Sequence, residues 1–143
     1  MTAAFALDTS CVVPLLSSWH EFHARTKQAY EVRLARRERL IVPVHALLES
    51  FSILTRMPVR LSPADSRRLL EESFFENAGI AGLAGAAAWA TIQDLSLRDL
   101  GGGIAYDAVI ARTALDAGAS VLLTWNTRDL LRVAPPNLEI RQP

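Results

Sequence analysis

The segment Ala3-Ala4-Phe5-Ala6-Leu7-Asp8-Thr9-Ser10 decides how this sequence is expected to fold. An uninterrupted apolar run of this length, without polar alternation, is typical of a strand that is buried on both faces of a parallel sheet. Asp8 follows the run directly, and the carboxyl ends of parallel strands are where open α/β sheets bind their ligands. Asp8 is therefore the first candidate functional residue.

Short apolar runs of the same kind recur between stretches with helical spacing. The predicted strands are residues 3–7, 40–43, 80–83, 120–124 and, at an edge, 138–140. The predicted helices are residues 11–17, 19–38, 45–56, 63–76, 84–97, 104–117 and 127–133. Strands that alternate with helices indicate an α/β fold whose mostly parallel sheet is covered by helices on both faces.

Local signals set the expected starts of two helices. Ser10 is placed to cap the first helix, with Pro14 in or near its first turn. The segment 62–65 is a stronger start signal, because Ser62 suits the cap position and Pro63 the first helical position. Asp65 is expected to reach back towards the cap. Both signals predict where a helix begins.

Composition limits the class of protein. The chain has 143 residues, half of them hydrophobic, with 15 basic and 15 acidic residues. This excludes disorder and argues against a purely electrostatic nucleic-acid binder. A single cysteine, Cys11, fits a reducing compartment and is expected to be a small core residue. The apolar block 80–92 is too short to span a bilayer and no secretory signal is visible, so a soluble cytoplasmic protein is expected.

Two further acids lie in unusually apolar surroundings. Glu49 lies within residues 44–50, and Asp107 lies within residues 104–110 in the first turn of a predicted helix. Buried carboxylates are costly unless they are paired or bind a metal. Together with Asp8 they form an oxygen-only ligand set, which suits Mg²⁺ or Mn²⁺ better than zinc. Such an ion can activate water and stabilise in-line attack on a phosphodiester.

At this point the motifs resemble a family, the PIN-domain ribonucleases, above all the VapC-type toxins of bacterial toxin–antitoxin modules. The resemblance is carried by Leu7-Asp8-Thr9-Ser10, by Glu49 in the helix after the second strand, by residues 106–111 and by residues 122–130. Their order and spacing agree over essentially the whole chain. The resemblance implies a single PIN domain over residues 1–143, a three-layer sandwich with a mostly parallel sheet of four to five strands.

The resemblance also implies an activity and partners. Asp8 and Asp107 would bind one or two Mg²⁺ or Mn²⁺ ions for endonucleolytic RNA cleavage. Glu49 would bind a second ion or orient the attacking water. The partners implied are the RNA substrate, a VapB-like antitoxin that inserts a peptide into the acidic groove, and a second copy of the chain in a homodimer. Apolar faces around Phe51, Leu54 and residues 69–75 agree with a homodimer.

The last motif leaves the fourth acid of the family open. Many members carry aspartate where this chain has Asn126, and Asp129 follows three residues later. Asp129 is a candidate to bind a metal through water, whereas Asn126 is a candidate for a hydrogen bond in the site. Ser10 and Thr124 are expected to be hydroxyls that support the metal-binding acids.

Simpler interpretations stand beside these. Asp8 and Asp107 are also the residue type found at helix starts, and Glu49 also suits a surface helix flank. The alternative function is a catalytically weak PIN module that binds RNA or a partner protein, favoured only by Asn126. An aspartyl-phosphate phosphatase is disfavoured, because the second aspartate it needs is Ser10 here.

The segment from Arg25 to Arg39 is rich in arginine. A solvated helix face is one interpretation of this pattern. The others are a path for RNA and a surface that receives an acidic antitoxin segment. The sequence alone does not choose among the three.

Overall fold

A five-stranded parallel sheet forms the centre of the protein. The computed structural model describes residues 2–58 and 60–143. Within these ranges the strands are β1 (Ala4–Leu7), β2 (Arg39–Pro43), β3 (Ala78–Ala81), β4 (Val121–Leu123) and β5 (Glu139–Arg141). Their order is β3-β2-β1-β4-β5, and every pairing is parallel. The predicted α/β architecture is confirmed, with β1 in the middle and β5 at one edge.

Helices connect the strands. They are α1 (Thr9–Leu16), α2 (His23–Ala35), α3 (Val44–Leu54), α4 (Pro63–Phe74), α5 (Gly85–Leu97), α6 (Ile104–Asp116) and α7 (Thr127–Val133). The cap of α4 is confirmed, because the Asp65 backbone N–H donates to Ser62 Oγ at 3.0 Å. The Asp65 side chain does not reach back as predicted, since its carboxylate binds Arg68 instead. None of the helices in the described ranges is long and apolar enough to cross a membrane.

The sheet is buried on both faces, which explains the uninterrupted apolar run in β1. Ala4 and Ala6 belong to one core cluster, with α6 alanines among its members. Phe5 and Leu7 belong to the cluster on the other face. Successive side chains of a strand point to opposite faces, so a strand covered on both sides must be apolar at every position.

Helix α1 begins earlier than predicted. Its first residue is Thr9 and its N-cap is Asp8, whose side chain makes no cap hydrogen bond. The prediction that Ser10 caps this helix is wrong, because its hydroxyl donates to Asp8 instead. Pro14 lies inside the helix and beyond its first turn. The contacts at the end of β1 therefore determine where α1 begins.

Helix α2 is shorter than predicted at both ends. It begins at His23 rather than Trp19, because the preceding segment turns back and Phe22 stacks on Trp125. It ends at Ala35, and Arg37 then adopts the left-handed region with φ 61°. Tertiary packing overrides helical propensity at the first end.

Two other expectations need correction. Strand β3 covers Ala78–Ala81 rather than residues 80–83, with Leu40 opposite Ala78 in the pairing with β2. Leu54 and Phe74, assigned above to a surplus apolar face, are buried in the core. Phe75 is the residue of that group that lies exposed, at 78% of its surface.

Candidate active site

Asp8 lies buried at the carboxyl end of β1, and two hydroxyl groups hold its side chain. Ser10 Oγ and Thr124 Oγ1 each donate to Asp8 Oδ2 at 2.8 Å. Each hydroxyl in turn accepts a backbone N–H at 2.9 Å, from Trp125 and Asn126 respectively. These N–H groups occupy lone pairs and leave the hydroxyl hydrogens for the carboxylate. Asp8 Oδ1 has no hydrogen-bond partner among the described residues, so this oxygen remains available to a ligand.

The parallel register brings these residues together. Leu7 pairs with Leu123, so the residues that follow, Asp8 and Thr124, leave the sheet side by side. The Asp8 backbone N–H also donates to the Leu123 carbonyl at 3.1 Å. The prediction that these two strand ends meet at one edge of the sheet is confirmed.

The three predicted acids line one cavity. It has a volume of about 530 Å³, and Asp8, Glu49 and Asp107 contribute to its wall. Glu49 comes from α3, and Asp107 comes from the first turn of α6. Trp125 and Asn126, which follow β4, close another side. The structure thus places in one pocket acids that are 41 and 99 positions from Asp8 along the chain.

Asp107 lies in an electrostatically unfavourable position. Burial is the larger cause that raises the pKa of its carboxyl to about 6, from an ordinary value of 3.8. The second cause is the negative charge of its neighbours, Asp8, Asp129 and Glu49. Acids that repel one another around a shared cavity are stabilised by a bound cation.

We expect Asp107→Asn to stabilise the metal-free protein near neutral pH. Between pH values of about 4 and 6 the folded protein binds more protons at Asp107 than the unfolded chain, so stability falls as the pH rises through this window. A shift of this size corresponds to about 3 kcal/mol for an enclosed group. Because Asp107 is only half-buried and gains from the helix N-terminus, we expect about 1 kcal/mol.

Urea unfolding in the presence of a chelator measures this effect. The difference between Asp107→Asn and wild type should be largest near neutral pH and should vanish below a pH of about 3, where the wild-type carboxyl is protonated in both the folded and the unfolded protein. Asp116→Asn is the control, because Asp116 lies exposed on the same helix in an ion pair with Arg112. Equal stability of Asp107→Asn and wild type at neutral pH would contradict the proposed repulsion.

Glu49 stands beside a stacked aromatic pair that the sequence analysis missed. Its Oε2 lies 3.9 Å from Nε2 of His45, one helical turn earlier. The His45 ring stacks on Tyr106 with centroids 5.0 Å apart and planes 7° from parallel. His45 Nε2 is buried and has no hydrogen-bond partner among the described residues. A small shift of Glu49 towards this nitrogen would form a hydrogen bond that holds the carboxylate.

The positions of these two rings carry a signal that sequence reasoning can use. His45 lies four residues before Glu49, and Tyr106 directly precedes Asp107. Residues four apart share a helix face, so the sequence places His45 near Glu49. The signal was not recognised because no pattern links the two helices along the chain.

The two candidates for the fourth acid lie in different places. Asn126 lines the cavity, whereas Asp129 is not part of its wall. The Asp129 carboxylate lies 3.9 Å from Arg132 on the exposed side of α7. Asp129 is nevertheless close enough for its charge to raise the pKa of Asp107. A direct role for Asn126 and a longer-range electrostatic role for Asp129 agree with these positions.

Trp125 fixes the segment before α2 against the site. Phe22 stacks on its indole at a centroid distance of 4.2 Å, and the Arg25 guanidinium lies 4.9 Å from the ring centroid. Trp125 Nε1 also donates to Thr26 Oγ1 at 2.8 Å. These contacts occupy the indole, so Trp125 packs within the fold.

Two histidines near α2 and the single cysteine make contacts that stabilise the fold. Nδ1 of His23 lies 2.8 Å from the Pro14 carbonyl and ties the start of α2 to α1. His20, which lines the acidic cavity, accepts the Phe22 backbone N–H at Nδ1 within the segment before α2. Cys11 is fully buried, and burial raises the pKa of its thiol. It is a core residue, as expected.

The acidic cluster fits a hard divalent cation. Among the described residues, no three Asp, Glu, His or Cys side chains converge closely enough to enclose a metal by themselves. Mg²⁺ does not need such a cage, because one or two carboxylates usually hold it while water and substrate phosphate complete the shell. The free Asp8 Oδ1 and the repelled Asp107 carboxylate supply donors of this kind. The donor set therefore suits Mg²⁺ or Mn²⁺.

Sequence comparison identifies the family of this fold and site. The model of the PIN domain matches residues 5–135. The chain belongs to the PIN-domain family. Among curated PIN-domain relatives, ribonuclease VapC27 of Mycobacterium tuberculosis is 36% identical over 123 residues, covering 85% of this chain and 84% of the relative. Ribonuclease VapC40 of the same species is 35% identical over 130 residues, covering 90% and 88%.

Solved structures share the PIN fold. VapBC2 from Rickettsia felis, bound to a DNA fragment from its promoter, superposes with a TM-score of 0.72 at 17% identity, covering 98% of both chains. VapC20 from Mycobacterium tuberculosis, described as a sarcin–ricin loop cleaving toxin, also has a TM-score of 0.72 at 13% identity, covering 98% of this chain and 100% of its own. At these identities the likeness concerns the fold.

Proposed function

We propose that this PIN-domain protein is a divalent-metal-dependent endoribonuclease and the toxin of a VapBC-type module. The observation that carries the proposal is the acidic cavity at the carboxyl end of β1, where Asp8 is preorganised by Ser10 and Thr124. Curated relatives that match most of the chain are named ribonucleases, which supports the same activity. We propose RNA as the substrate and the cytoplasm as the cellular location.

In this proposal Asp8 and Asp107 hold Mg²⁺ or Mn²⁺, and Glu49 binds a second ion or orients the attacking water. The bound cation supplies Lewis acidity, a water with a lowered pKa and charge stabilisation for the phosphodiester. Asp8 presents one oxygen because its other oxygen is saturated by hydroxyl groups. Asn126 lines the same cavity and is available to hydrogen-bond the substrate or the attacking water.

The experiment that tests the function is metal removal and replacement. We expect purified protein to cleave total RNA with Mn²⁺ or Mg²⁺, to lose cleavage in EDTA and to regain it when the ion is restored in excess. We also expect Mn²⁺ to stabilise the fold by about 2.7 kcal/mol at a hundredfold excess over its dissociation constant, measured by thermal unfolding. Soluble protein that neither binds Mn²⁺ nor cleaves RNA would favour the alternative, a PIN module that only binds RNA or protein.

A VapB-like antitoxin is the partner in this proposal. Solved structures of the same fold include VapBC complexes from Rickettsia felis, Haemophilus influenzae and Salmonella typhimurium. The antitoxin would insert a peptide into the acidic cavity and silence the enzyme. A cationic side chain is the chemistry that suits insertion there, because the acids repel one another without a counter-charge. Co-expression with a candidate VapB-like antitoxin, followed by co-purification and loss of cleavage, tests this partner.

The homodimer is proposed from an exposed apolar surface. Leu48, Phe75 and Ile80 lie exposed around a groove of about 210 Å³ between α3, α4 and β3. The solvent-accessible area of this groove is almost wholly apolar, which is typical of a surface covered by another chain. Phe75→Glu should give a monomer by analytical ultracentrifugation with the fold intact. A wild-type protein that is already monomeric would remove this part of the proposal.

A further inference from the structure

An arginine-lined groove lies near the acidic cavity, since Leu123 lines the groove and its carbonyl accepts the Asp8 backbone N–H. It has a volume of about 340 Å³ and runs between α2 and the edge strand β5. Four arginines line it, namely Arg25, Arg33, Arg36 and Arg141. None of the described residues that line it is acidic. In a chain with equal numbers of acidic and basic residues, this is a local concentration of positive charge.

The four arginines are not equivalent. Arg33 is mostly buried and forms an ion pair with Glu38 at 3.0 Å, so it stabilises the fold. Arg141 forms an exposed ion pair with Glu139 at 2.5 Å, so its charge is already partly compensated. Arg25 and Arg36 are exposed and form no ion pair within the described parts of the chain. The groove therefore carries the positive charges of Arg25 and Arg36, which no carboxylate side chain of the described residues neutralises in an ion pair.

Two contacts connect this groove to the acidic cavity. The Thr124 backbone N–H donates to the Arg141 carbonyl at 3.0 Å, so the edge strand reaches the residue that holds Asp8. The Arg25 guanidinium, which lines the groove, lies over Trp125, which lines the cavity. The groove and the cavity therefore share neighbouring residues at the ends of β4 and β5.

We infer that the arginine groove binds the phosphates of an unpaired RNA strand that flanks the cleaved bond. The inference rests on the proposed ribonuclease function, because the acidic cavity would hold the cleaved phosphate. Arginine suits phosphate, since its planar guanidinium donates two parallel hydrogen bonds. A cationic groove also offsets the repulsion between RNA and the acidic cavity. A single strand is favoured over a duplex, because a positively charged groove on a small domain tracks one backbone.

The test is the salt dependence of RNA binding under a chelator, where cleavage does not occur and the metal-free cavity repels phosphate. Binding of a fluorescent oligoribonucleotide of about ten nucleotides would be followed by anisotropy for wild type, Arg25→Gln and Arg36→Gln. Arg112→Gln is the control, because Arg112 is paired with Asp116 on α6 and does not line the groove. Glutamine keeps much of the side chain and removes the charge.

We expect each groove substitution to lower the slope of log affinity against log salt by about 0.7, which is about a fivefold loss of affinity at 0.1 M salt. The control should leave both quantities unchanged. A wild type that does not bind at low salt, or groove variants with the wild-type slope, would overturn the inference. Groove variants that bind RNA normally but lose an acidic peptide such as hexaglutamate would overturn it too, in favour of a protein-docking surface.

A parallel cleavage assay with Mn²⁺ keeps the two proposals apart. If wild type cleaves RNA and the groove variants cleave it equally well, the ribonuclease proposal stands and the proposed role of the groove is wrong. In the supporting outcome, kcat/KM for the long oligonucleotide falls by about the same factor as its affinity. Cleavage of a trinucleotide too short to reach the groove should then be unaffected.

Discussion

Asp8→Asn is expected to abolish metal-dependent RNA cleavage while the protein stays folded. Asparagine has the shape of aspartate, and its carbonyl oxygen still accepts the hydrogen bonds that Ser10 and Thr124 donate to Oδ2. What it loses is the negative charge on the oxygen that faces the cavity. A cation that stabilises the transition state contributes several kcal/mol, so its loss lowers the rate by about 10³-fold or more.

The measurement is initial-rate cleavage of a defined RNA with Mn²⁺, beside isothermal titration of Mn²⁺ itself. Asp107→Asn should show the same loss, whereas Asp116→Asn, in an exposed pair on α6, should cleave like wild type. The three variants separate a metal-binding role from a general effect of charge. Asp8→Asn with undiminished cleavage would remove Asp8 from the chemistry and return it to the simpler role of a helix-start residue.

The central strands were predictable from local pattern because β1, β2 and β4 are buried on both faces. Residues 4–7 and 121–123 are apolar throughout, and parallel strands place their carboxyl ends together. Asp8, directly after the first strand, was therefore identifiable as a site residue. Its cavity with Glu49 and Asp107 needed the family resemblance as well, because helix positions do not reveal their distance from a strand end.

The errors arise where distant residues decide local geometry. Ser10 has the sequence setting of a helix cap, but Thr124 and Trp125, more than a hundred residues later, draw it into the Asp8 network. Phe22 has a helical setting, but its stacking on Trp125 keeps residues 19–22 out of α2. The stack of His45 on Tyr106 joins two helices that nothing in the sequence connects. Long-range packing is the common cause of these misses.

The arginine-rich segment also could not be interpreted fully without the fold. The sequence revealed the charge on the segment from Arg25 to Arg39 but not which members were already paired. Only the fold shows that Arg33 is used internally by Glu38, whereas Arg36 faces an open groove. It also brings Arg141 to this groove from the far end of the chain. A surface arginine can be assigned to a binding site only when its ion-pair partners within the protein are known.

Thr124→Val is expected to weaken both the site and the fold. Valine has nearly the same shape as threonine, so the buried space stays filled, but the hydroxyl is lost. Asp8 Oδ2 then loses one of its two hydroxyl donors, and the Asn126 N–H loses its acceptor. We expect a loss of about 1–3 kcal/mol in the free energy of unfolding and of 10- to 100-fold in Mn²⁺ affinity or cleavage.

Thr124→Ser is the matched control, since it keeps the hydroxyl and removes only a methyl group. It should retain metal affinity and cleavage while losing about 1 kcal/mol of stability to the small cavity. A Ser10→Ala and Thr124→Val double-mutant cycle then measures whether the two donors act on one carboxylate, because a shared oxygen predicts effects that do not add. If Thr124→Val binds Mn²⁺ and cleaves like wild type, the hydroxyl does not position Asp8, and the chemistry depends on the carboxylates alone.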